Sequence, residues 1–349
     1  MKLDDLLAKI SPWLLGGGAE NDIVISSRLR LARNLIGFPF PIRATEQDRR
    51  VVRDVVQTAA AELFPKNDYY FANLQTLAPL DREYLLERQL ISRELVETDR
   101  MHAALIDRQE RFCVMINEED HLRIHSIGSG LAPRKVWELI DQVDNQLSSK
   151  LDYVFHEKYG YLTSCVTNAG TGMRISMMLH LPALIATNEI DKVFRSLQKA
   201  NLSVRGLYGE GSQPLGDFFQ ISNRITMGKS EEELIASMTD LIPQIVAYER
   251  QARDFLLTNR REIILDRCSR AVGVLRTART ISSVETMGHL SSLRLGIHTK
   301  LLEGFDIATI NSLLLHTQPA HLQKIHGELS SQDDQDVVRA TYLRKALGG

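Results

Sequence analysis

Apolar side chains recur at helical spacing in two long stretches. Val136, Leu139, Ile140, Val143 and Leu147 share one face of a helix predicted over residues 133–151. Val51, Val52, Val55, Val56 and Ala59 do the same over residues 45–63, where Thr45 can cap the first turn. Short apolar or alternating runs predict strands at residues 22–27, 69–74, 111–117, 122–127, 161–167, 202–207 and 218–225. Further helices are expected over residues 2–10, over residues 79–90 behind Pro79, and from the Asn168–Gly172 turn to about Ala186. That last helix would carry Met177, Met178, Leu179 and Leu181 as core. Ser230-Glu231-Glu232-Glu233 has the form of a capping box, and the chain after residue 255 reads as helix with little strand character. The pattern predicts two parts: mixed α and β over residues 1–255, and a smaller all-helical part over residues 256–349.

Composition narrows the function classes. The 349 residues are 44% hydrophobic and 25% charged, ordinary for a globular chain, and the net charge of −2 offers no overall basic field for nucleic acid or a membrane surface. No apolar run approaches the ~18 residues of a membrane span, and the charged N-terminus lacks a signal-peptide core. Cys113, Cys165 and Cys268 are far apart, which suits a reducing cytoplasm and gives no metal-like pairing.

The chemistry concentrates in three segments. Asn117-Glu118-Glu119-Asp120-His121-Leu122-Arg123 directly follows the apolar run Phe112–Ile116, so it reads as a strand end opening into a site. Ser26-Ser27-Arg28-Leu29-Arg30 lies upstream, and Arg205-Gly206-Leu207-Tyr208-Gly209-Glu210 lies downstream. Arg28, Arg30, Arg123, Arg174 and Arg205 all fall at strand ends or loop junctions. Guanidinium groups stay charged and present fixed forks of donors, so a set of them can neutralise a phosphate tail. There is no Walker-type loop and no protein-kinase signature, so any ATP site must rely on side-chain arginine. Two separated carboxylates could grip a guanidinium, align one nitrogen with a phosphoryl group and take its proton. Glu210 is one candidate. Glu118 and Glu119, adjacent on an extended strand, would face opposite sides, so only one of them enters the pocket. Cys165, just ahead of the Asn168–Gly172 turn, is either a thiolate beside a guanidinium or a small core residue. His121 and His125 lack a third ligand at metal spacing.

Taken together, these segments resemble the phosphagen (ATP:guanidino) kinase family, and within it the bacterial branch that acts on protein arginine. The resemblance rests on the Asn117–Arg123 signature, on Ile25-Ser26-Ser27-Arg28-Leu29-Arg30-Leu31-Ala32-Arg33-Asn34, on Cys165-Val166-Thr167-Asn168-Ala169-Gly170-Thr171-Gly172-Met173-Arg174, on Arg205–Gly211 and on Gln220-Ile221-Ser222-Asn223-Arg224, and it spans residues 20–255. It implies a glutamine-synthetase-like α+β catalytic domain, an antiparallel sheet flanked by helices, followed by a helical regulatory and dimerising domain. It implies ATP, with Mg²⁺ held through the phosphates and no dedicated protein metal site. Nucleotide-binding positions would be Ser26, Ser27, Arg28, Leu29, Arg30, Arg123, Arg174, Ile175, Ser176, Met177, Met178, Arg205, Gly206, Leu207, Tyr208 and Gly209. Glu119 and Glu210 would hold the substrate guanidinium, with Glu119 as the base, and Cys165 would lie near its non-reacting nitrogens.

Kinases of small guanidines carry a helical domain ahead of the first arginine segment, and here that segment begins about 20 residues from Met1. The expectation is an open site that phosphorylates exposed arginines on proteins, in cytoplasmic stress response or quality control. A kinase for free arginine, or a non-catalytic adaptor, are the alternatives. Partners implied by the resemblance are an activator protein, a transcriptional repressor, Clp-type protease machinery and a second copy of the chain. Two departures stand out. Gln335-Asp336-Val337-Val338-Arg339-Ala340 has Gln where the branch's phosphoarginine-binding motif has Arg, removing one charged fork. Val166 follows Cys165 where many relatives have Pro.

Overall fold

The computed structural model describes residues 3–7, 9–206 and 215–349. Its centre is one antiparallel eight-stranded sheet. In chain order the elements are β1 (Val24–Arg33), α1 (Glu46–Leu63), β2 (Tyr69–Asn73), α2 (Pro79–Glu87), α3 (Arg93–Glu97), β3 (Ala103–Asp107), β4 (Phe112–Ile116), β5 (Leu122–Ser129) and α4 (Pro133–Ser148). A two-stranded hairpin, β6 (Phe155–His156) and β7 (Gly160–Tyr161), precedes β8 (Met173–His180), α5 (Pro182–Ala186), α6 (Ile190–Lys199), β9 (Leu202–Arg205) and β10 (Phe218–Asn223). Six helices complete the chain: α7 (Glu231–Asn259), α8 (Arg261–Thr277), α9 (Ser283–His298), α10 (Ile307–His316), α11 (Pro319–His326) and α12 (Gln332–Leu347). The strand order is β2-β3-β4-β5-β1-β8-β10-β9. Among the described residues no helix is long and apolar enough to cross a membrane.

Period-two alternation gives the sheet two unlike faces. One is apolar throughout its centre: Leu29 and Leu31 of β1, Val114 of β4, Ile124 of β5, Ile175 and Met177 of β8 and Ile221 of β10 pack with Val52, Val56, Val136, Ile140 and Ile242 from α1, α4 and α7. The other face is apolar only at its flanks. On one side, Ile106, Cys113 and Met115 meet Tyr84 and Leu85 of α2. On the other, Met178 and Phe218 meet Leu290, Leu313 and Leu343 of the C-terminal helices. The strip between them is polar, and it is where the arginines lie.

Several elements match the sequence pattern. Thr45 and Ser230 both form reciprocal capping boxes, at α1 and α7. Two do not. Residues 173–180 are a strand, not the start of a helix. Met173, Ile175, Met177 and Leu179 alternate with Arg174, Ser176, Met178 and His180, and the strand lies centrally between β1 and β10, covered on both faces. The unbranched Met and Leu side chains suggested helix, but sheet burial overrides that preference. Of the strand expected over 161–167 only Tyr161 pairs as a strand, in β7, and the loop that follows is held by Asp120, which accepts from the Ser164 amide. The N-terminal helix shrinks to a 3₁₀ turn, Leu3–Leu6. α7 runs through residue 255, and the helix breaks at Arg260. Leu256, Ile264, Cys268 and Leu295 join the same core as the sheet.

Candidate active site

Sheet register brings all five arginines onto one face. Arg28 and Arg30 are two residues apart on β1. Arg30 stands opposite His125 of β5 and Arg174 of β8, and Ala32 stands opposite Arg123. Ser176 pairs with both Arg28 and Ser222, and Arg205 pairs with Gln220, which itself faces Met178. Following parity across β5, β1, β8, β10 and β9, Arg28, Arg30, Arg123, Arg174 and Arg205 project from the same side.

Their environment is electrostatically uncomfortable. Burial, then repulsion from Arg123, lowers the pKa of Arg28 to about 10. Burial, with Arg123, Arg28 and Arg174 adding repulsion, pushes Arg30 well below its ordinary value. Among the described residues, the Nε atoms of both are buried without a hydrogen-bond partner. Arg28 is held by Gln89, through its side-chain Oε1 (3.2 Å) and backbone oxygen (3.3 Å). Arg174 donates to Ser222 (3.1 Å) and Ser203 (3.2 Å), whose hydroxyls lie 2.8 Å apart. Beneath the cluster, His125 is fully buried. Its two ring nitrogens lack partners among the described residues, and burial, reinforced by Arg28, Arg30 and Arg123, holds it neutral. Clustered cations with unused donors need an anion, and a polyphosphate supplies several.

The acidic motif is a hairpin turn between β4 and β5, not a strand end. Asn117 takes a left-handed conformation (φ 61°), which Asn tolerates, and its amide donates to the backbone oxygens of Arg49 (2.8 Å) and Met101 (3.1 Å). The turn gives the two glutamates different surroundings. Glu118 is 3% exposed, with its carboxylate 2.5 Å from Arg123 Nη1. Burial pushes its pKa up, but the charge and hydrogen bonds of Arg123 outweigh that and leave it below the ordinary value. Glu119 is half-buried. Burial raises its pKa; Arg123 works against this, and Asp120, Glu118 and Glu94 reinforce it. Glu118 is therefore committed to Arg123, and Glu119 remains available.

Asp120 and Asn168 join this turn to the cysteine loop. Asp120 Oδ1 accepts from Asn34 Nδ2 (2.6 Å) and from the Ser164 amide (2.7 Å), and Asn168 Nδ2 donates to Glu119 Oε2 (3.1 Å). Cys165 is partly exposed between them, its Sγ 2.9 Å from Thr167 Oγ1. His121 is a staple. The Leu35 amide donates to its Nδ1 (3.0 Å), so the proton sits on Nε2 and is donated to the Pro39 oxygen (3.0 Å).

Other sequence-derived positions divide. Ser26, Arg28, Ser176 and Met178 line one small crevice, about 10 Å³, with Trp13, Gln89, Ile127 and Gln220. Ser27, Leu29, Ile175 and Met177 lie on the opposite face, because they fall on odd positions of their strands. Leu29, Ile175 and Met177 are core, and Ser27 donates to the Gly130 oxygen (2.7 Å) at the start of α4. Only their backbones could serve a ligand on the arginine side. Gly206 is buried beside β9. Leu207, Tyr208, Gly209 and Glu210 lie outside the described residues. In the C-terminal part, Arg339 is fully buried and donates to the oxygens of Thr317 (2.8 Å) and Ile281 (2.9 Å), as well as pairing with Asp336. Ala340 is core, and among the described residues Gln335 Oε1 and Arg339 Nη2 are buried without partners. Gln89 and Ser203 gave no functional signal in the sequence, while Asn168 and Ser222 appeared there only as members of longer motifs and His125 only as a rejected metal ligand. They acquire a place at the site only through the tertiary fold.

A groove of about 800 Å³ lies between α6 and α7 and shares no lining residue with the arginine face. The side-chain chemistry, not cavity size, marks the candidate site.

Comparison with known proteins agrees with this geometry. Residues 51–252 match the family model "ATP:guanido phosphotransferase, C-terminal catalytic domain", and residues 261–349 match "Protein-arginine kinase McsB C-terminal domain". The chain is 42% identical over 340 residues to a protein-arginine kinase of Pelotomaculum thermopropionicum, covering 96% of this chain and 95% of that one. It is 40% identical over 348 residues to one from Halothermothrix orenii, covering 99% of both. Among solved structures, a lombricine kinase superposes with TM-score 0.59 at 25% identity, over 71% of this chain and 70% of that one. A taurocyamine kinase of Schistosoma mansoni superposes with TM-score 0.60 at 25% identity, over 66% of this chain and 33% of that one. A sheet face of five arginines beside a glutamate hairpin is thus set in a guanidino-kinase fold, and the chain belongs to the ATP:guanido phosphotransferase family, in its protein-arginine kinase branch.

Proposed function

We propose that this face transfers the γ-phosphoryl group of ATP to arginine side chains of proteins. The carrying observation is the register that puts Arg28, Arg30, Arg123, Arg174 and Arg205 on one side of the sheet. Mg²⁺ would be held through the nucleotide's phosphates and would offset part of their charge. Arg28 and Arg30 offer donors that have no internal use, and Arg174, backed by Ser203 and Ser222, offers a third fork. Fixed guanidinium groups stabilise charge spread over the transferring phosphoryl oxygens.

The incoming arginine meets Glu119. Asn168 occupies Glu119 Oε2 and leaves Oε1 for a guanidinium N–H. As a nitrogen attacks the γ-phosphorus and the bond to the leaving oxygen breaks, Glu119 takes the proton the nitrogen loses. Its raised pKa makes it a stronger base than an ordinary carboxylate. The family resemblance assigns Cys165 to the remaining guanidinium nitrogens and Glu210, which lies outside the described residues, as the second carboxylate for the guanidinium. Residues 1–255 would hold the reaction and residues 256–349 would regulate it and form a homodimer. The reading also takes the setting to be cytoplasmic, in stress response, with an activator, a repressor and Clp-type protease machinery as partners. Family membership supports this wider setting.

Incubation with ATP and casein, followed by mass spectrometry under non-acidic handling, tests the reaction. Phosphoarginine that is lost on acid treatment is expected. Acid-stable serine or tyrosine phosphate alone, or turnover of free arginine with none on protein, would overturn it.

A further inference from the structure

Beside the cysteine loop runs a second, shallower groove of about 340 Å³. Its walls are the β6–β7 hairpin, with Phe155, Lys158 and Tyr159, and the approach to α7, with Met227 and Lys229. Its floor is the backbone of Gly170 and Thr171. Phe155, Tyr159 and Met227 are 58%, 44% and 44% exposed, and Val166, next to Cys165, is 80% exposed. Three large apolar side chains lining one groove, Phe155, Tyr159 and Met227, form a patch rather than scattered surface residues.

The groove is preformed. Tyr161 beneath it stacks on the Arg33 guanidinium, 3.6 Å from the ring centroid, and Arg33 is itself locked in a buried pair with Asp144 (2.7 Å). Phe155 packs edge-on against Tyr161 at 5.2 Å. Tyr161 and Gly170 exchange two backbone hydrogen bonds (2.8 and 3.2 Å). Thr226 Oγ1 lies within hydrogen-bonding distance of the oxygens of Thr167 (2.9 Å) and Ala169 (2.6 Å). Gly170 must be glycine: at φ +103°, a Cβ would come within 2.6 Å of the Thr226 oxygen. The floor is therefore a braced length of the same loop that carries Cys165 and presents Asn168 to Glu119.

We propose that this groove binds the substrate polypeptide beside the arginine being phosphorylated, and that it selects an aromatic or large aliphatic residue next to a carboxylate. The inference rests on the protein-arginine reading above. Its apolar walls take the hydrophobic side chain. The charged side chains lining it are Lys158, Lys229 and Glu231, a net positive set that favours an acidic neighbour. Reach sets the register. Gly170 follows Cys165 by five residues, a separation of at most ~17 Å in an extended chain. An extended substrate would therefore place its recognised residues within about five positions of the target arginine.

The test uses the full chain, ATP and two peptides, each with one arginine. One carries Phe-Asp three positions away, and the other carries Ala-Ser there. Wild type should favour the Phe-Asp peptide by about tenfold in kcat/KM, mainly through KM, the equivalent of ~1.4 kcal/mol. Tyr159→Ala should abolish most of that preference while leaving the Ala-Ser peptide and the KM for ATP within twofold. Lys229→Glu should penalise the Phe-Asp peptide relative to a third peptide that carries Phe-Lys at the same place. Equal phosphoarginine on both peptides in wild type, or equal losses on both in the variants, would overturn the groove alone. Absence of phosphoarginine from both peptides would overturn the protein-arginine reading and the groove with it.

Discussion

Glu118→Gln isolates the charge balance of the site. In the folded chain Glu118 is the immediate counter-ion of Arg123, at 2.5 Å and 3% exposure. Gln keeps an oxygen for Arg123 but removes the negative charge, leaving Arg123 facing Arg28 and Arg30. Breaking one side of a buried pair costs about 3–5 kcal/mol, and the retained acceptor puts the expected loss near the lower end, about 3 kcal/mol. Without nucleotide, the denaturation midpoint should fall accordingly, with an unchanged slope. Nucleotide binding should move the other way. Were a phosphate bound about 8 Å from Glu118, a unit charge acting through an effective dielectric of about 20 would be worth roughly 2 kcal/mol. Removing that repulsion should tighten a non-hydrolysable ATP analogue by about 30-fold, measured by calorimetric titration. The variant would thus be less stable when empty and disproportionately rescued by nucleotide. Weaker binding with unchanged stability would refute the reasoning, because Glu118 would then be positioning a ligand rather than balancing Arg123.

Glu119→Gln should lower kcat by roughly 10²–10⁴-fold without loss of fold, measured by phosphoarginine formation. In wild type the acid limb of kcat/KM against pH should lie above the ordinary carboxylate range, because Glu119 must be ionised to act and its pKa is raised. Gln89→Asn keeps a residue that tolerates φ 63° but withdraws the oxygen from Arg28, so the KM for ATP should rise about fivefold, from a loss of ~1 kcal/mol, with kcat unchanged. Burial pushes Glu87 up from 4.5 to about 8, so the folded chain holds that proton more tightly than the unfolded chain. The resulting stabilisation is complete below pH 4.5 and is lost as pH rises through about 8. Between pH 7 and 9 the melting temperature should therefore fall, and Glu87→Gln should flatten that fall.

Local signals carried the elements whose cause is local. Thr45 and Ser230 each announce a helix through a side chain three residues from its partner, and the glutamate hairpin follows directly from the apolar run of β4. The Met173–His180 strand departs from the helix its composition favours, because its alternation suits a sheet covered on both faces. For the site, the arginines were legible as a residue type in short motifs, and Arg28 and Arg30 share a face by spacing alone. That Arg123, Arg174 and Arg205 join them depends on pairing registers between strands far apart in sequence, which no local pattern encodes. Likewise, nothing near Gln89 points to Arg28, 61 residues away.

Glu87, which ends α2, and the two residues after it explain why the C-terminal helices belong to this site physically. Glu87 accepts from the amides of Ala320 (2.8 Å) and His321 (2.9 Å) at the start of α11, and His321 Nδ1 lies 2.7 Å from it. Arg88 is 1% exposed and grips Glu110 at 2.5 Å, and Glu110 also accepts from Ser11 (3.0 Å). Gln89 then turns through a left-handed conformation to meet Arg28. Each residue has one partner set, and the peptide bonds between them are stiff. A displacement of α11 must therefore bend this short segment or move Gln89 relative to Arg28. Because Arg339 of α12 fixes the Thr317 oxygen just ahead of α11, the packing of the last helix and the aim of the Arg28 guanidinium are mechanically one problem.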